Sequence, residues 1–256
     1  MYAKISQKIN TSIQKFYYNE KLNEMGAILD LKKFKYINWL ECYDSNLGSI
    51  ININKNIIYI NCSINSILVL DNLPEKLNTL NCSGNKITNL DNLPEKLKKL
   101  ICSNNKITNL DNLPPNLEYL DCVGNNIQKL DNLSWNIKEL VVGFNEPYTL
   151  DYLPESLKII VFCDVYNNWR KKELNLKNLP VSLEIIHFNT NELPKIIGNI
   201  SNWEFKKNHI INKKYIEIHE QPKTFSPTYV DYLDYENIDC ENYDYDHYYD
   251  YDYDYD

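Results

Sequence analysis

The sequence has little glycine and no long apolar run, and these absences exclude several functions. Six glycines among 256 residues form no glycine-rich loop of the kind that holds phosphate groups. No apolar stretch approaches the roughly 18 residues that suggest a membrane-spanning helix. Residues 1–18 also lack the uninterrupted apolar segment of a secretory signal. We therefore expect a cytoplasmic protein that does not bind a membrane.

Groups of residues that carry catalysis or bind metals are missing as well. The histidines are scattered along the chain, at His187, His209, His219 and His247. No Ser/His/Asp or Cys/His arrangement and no Cys-x-x-Cys pair occurs. The sequence therefore predicts no enzymatic activity, no cofactor and no metal ion, and an enzyme that uses Cys163 is the weakest alternative.

Positive charge is too scarce for a nucleic-acid-binding protein. The chain has a net charge of −8. Residues 220–256 contain twelve acidic residues and one lysine, which gives −11 and leaves +3 for residues 1–219. Such an acidic segment repels phosphates, and blocks of this kind are usually disordered. We predict a disordered acidic tail, whose ten tyrosines are handles for stacking or phosphorylation.

The middle of the chain repeats itself every twenty residues. Residues 77–96 and 97–116 share the pattern L-x-x-L-x-C-x-x-N-x-I-x-x-L-D-N-L-P-x-x, which residues 57–76 and 117–136 also fit. Residues 37–56 are a degenerate copy with Ser45 in place of the asparagine. A single unit of twenty residues buries too little apolar surface to fold alone. The repeats must therefore stack on each other.

Each position of the repeat has a physical role. Leu80 and Cys82 alternate with polar residues, which predicts a short strand with one buried face. Asn85 follows where the chain turns, and its amide can satisfy backbone groups that the turn leaves unpaired. Stacked copies of this asparagine would form a ladder. Pro94 excludes a regular helix on the return, so extended or turn-like backs are expected.

The cysteines follow the same period. Cys42, Cys62, Cys82, Cys102 and Cys122 recur every twenty residues, each in a buried strand position. They are interpreted as small core residues in a reducing compartment rather than as disulfides. Because Phe162 takes the buried position in its own repeat, Cys163 is predicted to point outward and to react with thiol reagents.

These repeats resemble the 20-residue Leu-Pro class of leucine-rich repeats, best known from bacterial effector proteins. The abundance of Asn, Ile, Lys and Tyr, with Arg170 as the one arginine, resembles uncharacterised leucine-rich repeat proteins of giant amoeba-infecting, mimivirus-like viruses. The resemblance implies a solenoid with a curved parallel β-sheet on its concave face. Several effectors of this class append a ubiquitin ligase domain with a Cys-x-Asp motif, which neither Cys163 nor Cys240 matches.

The sequence divides into three regions. Residues 1–36 are predicted to be a partly helical cap, because Ile5, Ile9, Ile13 and Phe16 recur at near-helical spacing. Residues 37–219 are predicted to form a leucine-rich repeat solenoid of about nine coils with a closing segment. Residues 220–256 are the acidic tail.

The resemblance implies binding of a partner protein on the concave face by a monomeric chain. The residues predicted to face outward there are Trp39, Glu41, Tyr43, Tyr59, Lys99, Tyr119, Asp121 and Glu139, and the loop near 164–173 adds Tyr166, Trp169 and Arg170. Exposed aromatics are typical of interfaces, although ordinary cross-strand packing accounts for them equally well. The partner is unknown, a host protein if the chain is viral. The alternative is an adaptor or effector without catalytic activity that recruits ubiquitin-type machinery through the N-terminal helix or the acidic tail.

Overall fold

The computed structural model describes most of the repeat region and parts of its flanks. The described residues are 9–10, 13–18, 26–130, 132–143, 152–163, 173–175, 179–189, 195–197, 203–206 and 209–212. The acidic tail and the loop residues Tyr166, Trp169 and Arg170 lie outside them. The predictions made for those residues therefore stay predictions.

Short β-strands make up the regular structure of the described residues. In chain order they are β1 (Ile9–Asn10), β2 (Ile13–Tyr17), β3 (Ala27–Asp30), β4 (Trp39–Glu41), β5 (Leu47–Ile51), β6 (Tyr59–Asn61), β7 (Thr79–Asn81), β8 (Lys99–Ile101), β9 (Tyr119–Asp121), β10 (Glu139–Gly143), β11 (Ile159–Cys163), β12 (Glu173–Asn175), β13 (Ile185–Asn189), β14 (Lys195–Ile197), β15 (Trp203–Lys206) and β16 (His209–Asn212). No helix is present in this part of the chain, and so none that is long and apolar enough to cross a membrane.

One large sheet organises the molecule. Its strand order is β1-β2-β4-β6-β7-β8-β9-β10-β11-β13-β16-β15. The strands from β2 to β13 run parallel, so equivalent residues of successive repeats stand side by side. The described residues thus form a parallel-strand solenoid of about seven turns. The expected nine coils are more than this. The last of them is replaced by β15 and β16, which close the sheet as an antiparallel hairpin.

The core is a continuous stack of leucine, isoleucine and cysteine side chains on one side of this sheet. Leu80 and Cys82 are completely buried, as their counterparts Leu100 and Cys102 are in the next repeat. The five cysteines of the repeat are free thiols in this core, as predicted. Because equivalent side chains meet across neighbouring strands, each turn covers the apolar surface of the one before it.

The return path of each repeat is a series of turns, which confirms the prediction of extended backs over the described repeats. In the Asp-Asn-Leu-Pro segment, Asn92 adopts a left-handed backbone with φ 62°. Asparagine tolerates that conformation better than other residues with a side chain. The turn continues with a 3.0 Å hydrogen bond from the Leu97 amide to the Pro94 carbonyl. Twenty residues therefore suffice to leave the sheet and return without a helix.

The predicted asparagine ladder is present. The side-chain nitrogen of Asn105 donates to the carbonyls of Cys82 and Cys102, both at 3.0 Å, and its oxygen accepts from the amide of Ile87 at 2.9 Å. Asn65, Asn85 and Asn125 make the equivalent bonds in their own turns. Each asparagine thus joins the backbone of two successive turns.

The N-terminal helical prediction is wrong for the described residues. β1 and β2 form an antiparallel hairpin, and β2 then pairs with β4 so that Phe16 stands beside Leu40. Phe16 and Tyr18 are buried in the positions that leucine and cysteine hold in later repeats. A spacing of four residues fits a helix approximately, but it is also a multiple of the two-residue strand period. The hairpin therefore covers the end of the solenoid as an additional pair of strands.

The opposite end of the core is built from larger side chains. Phe162 and Phe188 are completely buried in the position that cysteine holds in earlier repeats. Their rings stack with centroids 5.6 Å apart and an interplanar angle of 18°. Two small parallel sheets, β3 with β5 and β12 with β14, lie apart from the main sheet. The core therefore changes composition along its length while the strand register stays constant.

Candidate functional site

The face of the main sheet that points away from the core carries the predicted site residues, and we call it the outward face. Its side chains stand in columns because the parallel strands are in register. The first column is Lys15, Trp39, Tyr59, Thr79, Lys99, Tyr119, Glu139, Ile159 and Ile185. The second column is Tyr17, Glu41, Asn61, Asn81, Ile101, Asp121, Val141, Val161 and His187. The outward face corresponds to the concave face of the prediction.

An aromatic pair lies near the N-terminal end of the first column. The rings of Trp39 and Tyr59 stack with centroids 3.6 Å apart and an interplanar angle of 9°. The ammonium of Lys15 lies 4.5 Å from the centroid of the Trp39 ring on the preceding strand. The indole nitrogen of Trp39 donates a 2.9 Å hydrogen bond to Glu41. Stacking, a cation–π contact and a charge-assisted hydrogen bond thus fix the orientation of the indole.

Tyr59 is neutral over the physiological pH range. Partial burial, together with the nearby carboxylate of Glu41, raises the pKa of the Tyr59 hydroxyl to about 12. Because the hydroxyl keeps its proton, it can donate the hydrogen bond that it shares with the Glu41 carboxylate. The pair therefore offers a large apolar area with a polar edge.

A shallow pocket of about 370 Å³ opens beside the aromatic pair. It is lined by Trp39, Ile58, Tyr59, Asn78, Thr79, Asn81, Lys99 and Ile101. One wall is aromatic, and the floor belongs to strands β7 and β8. The pocket is open along one side, so it fits a protruding side chain of a partner better than an enclosed small molecule.

The floor of the pocket carries an orientated amide. The side-chain oxygen of Asn81 accepts hydrogen bonds from the amide and the hydroxyl of Ser83, at 3.1 and 2.8 Å. Asn61 and Ser63 repeat the arrangement one turn earlier. With the oxygen occupied, the nitrogen of Asn81 is left as a hydrogen-bond donor.

The middle of the outward face is charged. The ammonium of Lys99, at the edge of the pocket, lies 4.4 Å from the centroid of the Tyr119 ring. Glu139 follows Tyr119 in the same column, and burial raises the pKa of its carboxyl group, while Lys99 and Lys138 partly offset that effect. Asp121 is buried in the second column. Tyr119 and Asp121 each make further contacts within the protein. The outward-face side chains that are open to a partner therefore lie nearer the N-terminus.

The C-terminal half of the outward face carries an apolar cluster, which the sequence analysis missed. Val123, Val141, Val161 and Cys163 form a buried cluster separate from the core, with Tyr119 and Ile159 packed against it. We call this cluster the valine patch. Its signal in the sequence is Val141 and Val161, between the second leucine position and the cysteine position. Earlier repeats carry polar residues there, except for Ile101.

Cys163 does not behave as predicted. It points away from the core, as expected from Phe162 in the core position. However, its side chain is completely buried and its sulfur is in a disulfide bond. A native cysteine in this state does not react with thiol reagents, so that expectation is wrong.

The structure brings together some of the predicted site residues and separates others. Trp39, Tyr59 and Lys99 line the pocket, and Glu41 contacts the pair. Tyr119, Asp121 and Glu139 lie further along the same columns. Tyr43 is exposed beyond the end of β4 and is not among the residues that line the pocket. Tyr166, Trp169 and Arg170 fall outside the described residues, in which no group of three or more metal-ligating side chains occurs.

Comparison with known proteins identifies the repeats. A family model described as "Leucine Rich repeats (2 copies)" matches residues 95–135. These residues match the leucine-rich repeat family. No curated protein matches it in sequence. The leucine-rich repeat domain of APL1B has the same fold, with a TM-score of 0.50 and 14% sequence identity, over 76% of this chain and 57% of that one.

Two bacterial leucine-rich repeat structures are similar to smaller parts of the chain. The leucine-rich repeat domain of a Shigella effector aligns with 51% of this chain at 23% identity and a TM-score of 0.43. YopM from Yersinia enterocolitica WA-314 aligns with 63% at 26% identity and a TM-score of 0.39. The chain spans 60% of the Shigella domain and 46% of YopM. Leucine-rich repeat domains in general are protein-interaction modules.

Proposed function

We propose that this leucine-rich repeat chain binds a partner protein on the outward face of its sheet, with the Trp39–Tyr59 pocket as the anchor point. The observation that carries the proposal is the stacked pair itself, at 3.6 Å beside an open pocket. Aromatic side chains held in one orientation bury a large area on binding and lose little conformational entropy. In this proposal the chain acts by binding alone and performs no catalysis.

The chemistry of the pocket favours a particular kind of partner side chain. The apolar wall fits an aliphatic or aromatic group, whereas Asn81 and Lys99 supply hydrogen-bond donors. A partner residue with an apolar stem and an acceptor at its end would satisfy both. Glu41 is already bonded to Trp39, so it adds little attraction for a cation.

Finer features of the sequence interpretation belong to the same proposal. The left-handed Asn92 and the bond from Leu97 to Pro94 support the 20-residue Leu-Pro class. Origin in a giant amoeba-infecting virus, a monomeric state and action on a host protein in the cytoplasm follow from the resemblance alone. Recruitment of ubiquitin-type machinery through the acidic tail is the competing function. Its other route, an N-terminal helix, is weakened by the hairpin of β1 and β2.

The test is affinity capture with matched baits. The full chain, Tyr59→Ala and Trp135→Ala are immobilised and exposed to lysate from the native cell, and bound proteins are quantified by mass spectrometry. Trp135 is 73% exposed and lies outside the strands, so it controls for loss of any exposed aromatic ring. A partner of the outward face is retained by the full chain and by Trp135→Ala and depleted from Tyr59→Ala. Equal recovery of every bound protein on all three baits contradicts the proposal. If the proteins recovered equally include ubiquitin-type components, the result favours the competing function.

A further inference from the structure

Two lysine side chains frame the Trp39–Tyr59 pocket on the outward face. Lys15 and Lys99 stand in the first column, one on either side of the aromatic pair. The ammonium of Lys15 lies 4.5 Å from the centroid of the Trp39 ring. The ammonium of Lys99 lies 4.4 Å from the centroid of the Tyr119 ring. A cation–π contact restricts the otherwise flexible lysine side chain, so both charges have defined places along the column.

Neither of these two lysines forms an ion pair within the described part of the chain. The ion pairs beside the sheet use a different row of residues, in which Glu118 pairs with Lys98 and Lys138, and Glu184 pairs with Lys158. All five of these residues immediately precede a strand, so they lie outside the two columns. The two ammonium groups of the first column are therefore available to a ligand.

The carboxylate of Glu41, near the pocket, offsets this positive charge only in part. Glu41 accepts a 2.9 Å hydrogen bond from the indole nitrogen of Trp39 and shares a second hydrogen bond with the hydroxyl of Tyr59. Hydrogen bonds to a carboxylate compensate part of its charge. The N-terminal half of the outward face therefore favours negative charge at its two lysines and an apolar group between them.

The spacing of the lysines determines the shape of a ligand that reaches both. Lys15 is on β2 and Lys99 on β8, with β4, β6 and β7 between them. These four strand spacings amount to about 19 Å. An extended peptide rises about 3.3 Å per residue and its side chains alternate in direction, so residues six apart cover this length and point the same way. We propose that the site binds an extended segment of a partner protein that crosses the strands, with two acidic side chains six residues apart at Lys15 and Lys99.

The position of the pocket selects the anchor residue of that segment. Thr79 is the smallest side chain of the first column, so the pocket opens above β7, between Tyr59 and Lys99. β7 is three strand spacings from β2, about 14 Å, which four residues of an extended chain cover. The anchor therefore lies four residues from the acid at Lys15 and two from the acid at Lys99. Its apolar part packs on Tyr59, which is the contact of the proposed function, so the register of the two acids rests on that function.

A single nucleic-acid strand is the other ligand that combines negative charge with flat apolar groups. Because it carries a charge at every nucleotide, a strand that joins the two lysines would place unpaired phosphates over Trp39 and Tyr59 and beside Glu41. A peptide with two separated carboxylates has no charge over this stretch. The distribution of charge on the outward face therefore favours a protein segment.

Two peptides of identical composition test the spacing. Both are acetylated and amidated. In the peptide SESSSYSES the glutamates are six residues apart, whereas in SESSSYESS the second glutamate is one residue closer to the first. Their affinities for the full chain are measured by saturation-transfer difference NMR, with single-stranded oligothymidine as a third ligand. We expect SESSSYSES to bind about two- to five-fold more tightly than SESSSYESS, the range of one exposed ion pair.

Lysine variants of the full chain test the two contacts. Lys99→Gln is expected to remove the advantage of SESSSYSES, because the glutamate that differs between the peptides is the one that faces Lys99. Lys99→Arg keeps the charge and should keep the advantage. Lys15→Gln should weaken both peptides equally, about two- to five-fold, because both retain the other glutamate. Lys106→Gln is the matched control, since Lys106 is exposed and lies outside the strands, and it should change neither affinity.

Different results separate the two acidic contacts from the proposed function. Equal affinity of the two peptides for the unsubstituted chain, or an equal loss in Lys99→Gln and Lys106→Gln, overturns the acidic contacts. If that equal affinity is lost in Tyr59→Ala, the pocket still binds and the proposed function stands. Absence of binding by both peptides also overturns the acidic contacts, and the capture experiment then decides the proposed function alone. Tighter binding of oligothymidine that is lost in Tyr59→Ala assigns the face to nucleic acid and overturns both.

Discussion

Trp39 and Tyr59 lie on neighbouring parallel strands with their rings stacked 3.6 Å apart, twenty residues apart in sequence. The repeat makes this contact, because residues in equivalent positions of successive turns are direct neighbours on the sheet. Lys15 and Glu41 then fix the indole from two directions. The structure of the repeat therefore builds a rigid aromatic surface from two residues that are distant in sequence.

The asparagine ladder leads to a prediction about stability. Asn105→Ala removes the donor to the carbonyls of Cys82, Cys102 and Ser103 and the acceptor for the Ile87 amide, and all of these backbone groups are buried. Leaving them unpaired is expected to cost about 1 to 3 kcal/mol of unfolding free energy. Urea denaturation measures the loss. Asn109→Ala is the matched control, because Asn109 is exposed and makes only a local bond to the Asp111 amide. Equal urea midpoints for the two variants would show that the ladder does not stabilise the fold.

Glu118 and Glu139 should affect stability with opposite signs. Hydrogen bonds from Lys138 and Lys98 lower the pKa of Glu118, so its contribution is present above the unfolded pKa and is lost as pH falls through the folded value. Burial raises the pKa of Glu139, so its charged form increasingly destabilises the fold as pH rises from the unfolded pKa through the folded value. At neutral pH, Glu118→Gln should lower the melting temperature and Glu139→Gln should raise it.

The same two variants should converge with the unsubstituted chain in acid. Below the unfolded pKa of glutamate, about 4.3, the carboxyl group of Glu139 is protonated in both states, and the ion pairs of Glu118 weaken. Melting temperatures measured by circular dichroism between pH 3 and neutral pH give the comparison. Shifts of the same sign at neutral pH, or shifts that do not depend on pH, would be inconsistent with the assigned environments.

The core cysteines should be inert in the native chain. Burial raises the pKa of the Cys62 thiol to about 12 and also raises the pKa of Cys82 and Cys102. The thiolate is the reactive species, and these sulfurs are also shielded from solvent. Alkylation at slightly basic pH, followed by intact-mass analysis, should add nothing to the five free cysteines until denaturant unfolds the chain. Native alkylation of any of these five at the rate of a free thiol would contradict the packing.

Much of the fold could be predicted because the repeat constrains it at every position. The spacing of Leu80, Cys82 and Asn85 determines which residues enter the core, which face outward and where the chain turns. The same logic failed for residues 9–17, where a four-residue spacing fits both a helix and a strand. The repeat pattern also failed after Ile200, where it predicted a further coil. Whether a strand pairs parallel or antiparallel to its neighbour is set by the connection between them and by the sheet edge that it joins, not by the apolar pattern of the strand itself.

The sequence predicts where the site residues lie, but not how deeply each side chain is buried. The repeat register places Trp39, Tyr59 and Lys99 on one face, and the structure brings them around one pocket. The sequence gives no indication of how far each side chain is covered. Cys163 shows this, because its direction follows from Phe162, whereas nothing in the repeat pattern indicates that its side chain is completely buried. Contacts between distant segments outside the repeat period leave no periodic signal.

Photo-cross-linking tests most directly the central claim that a partner binds at the Trp39–Tyr59 pocket. A benzophenone amino acid replaces Thr79, which lines the pocket, or Trp135, which is exposed outside the strands. After irradiation in native lysate, the account predicts a cross-linked partner from position 79 and none of that mass from position 135. The product at position 79 should also disappear when Tyr59→Ala is added. Cross-linking of the same partner from position 135 alone would contradict the account.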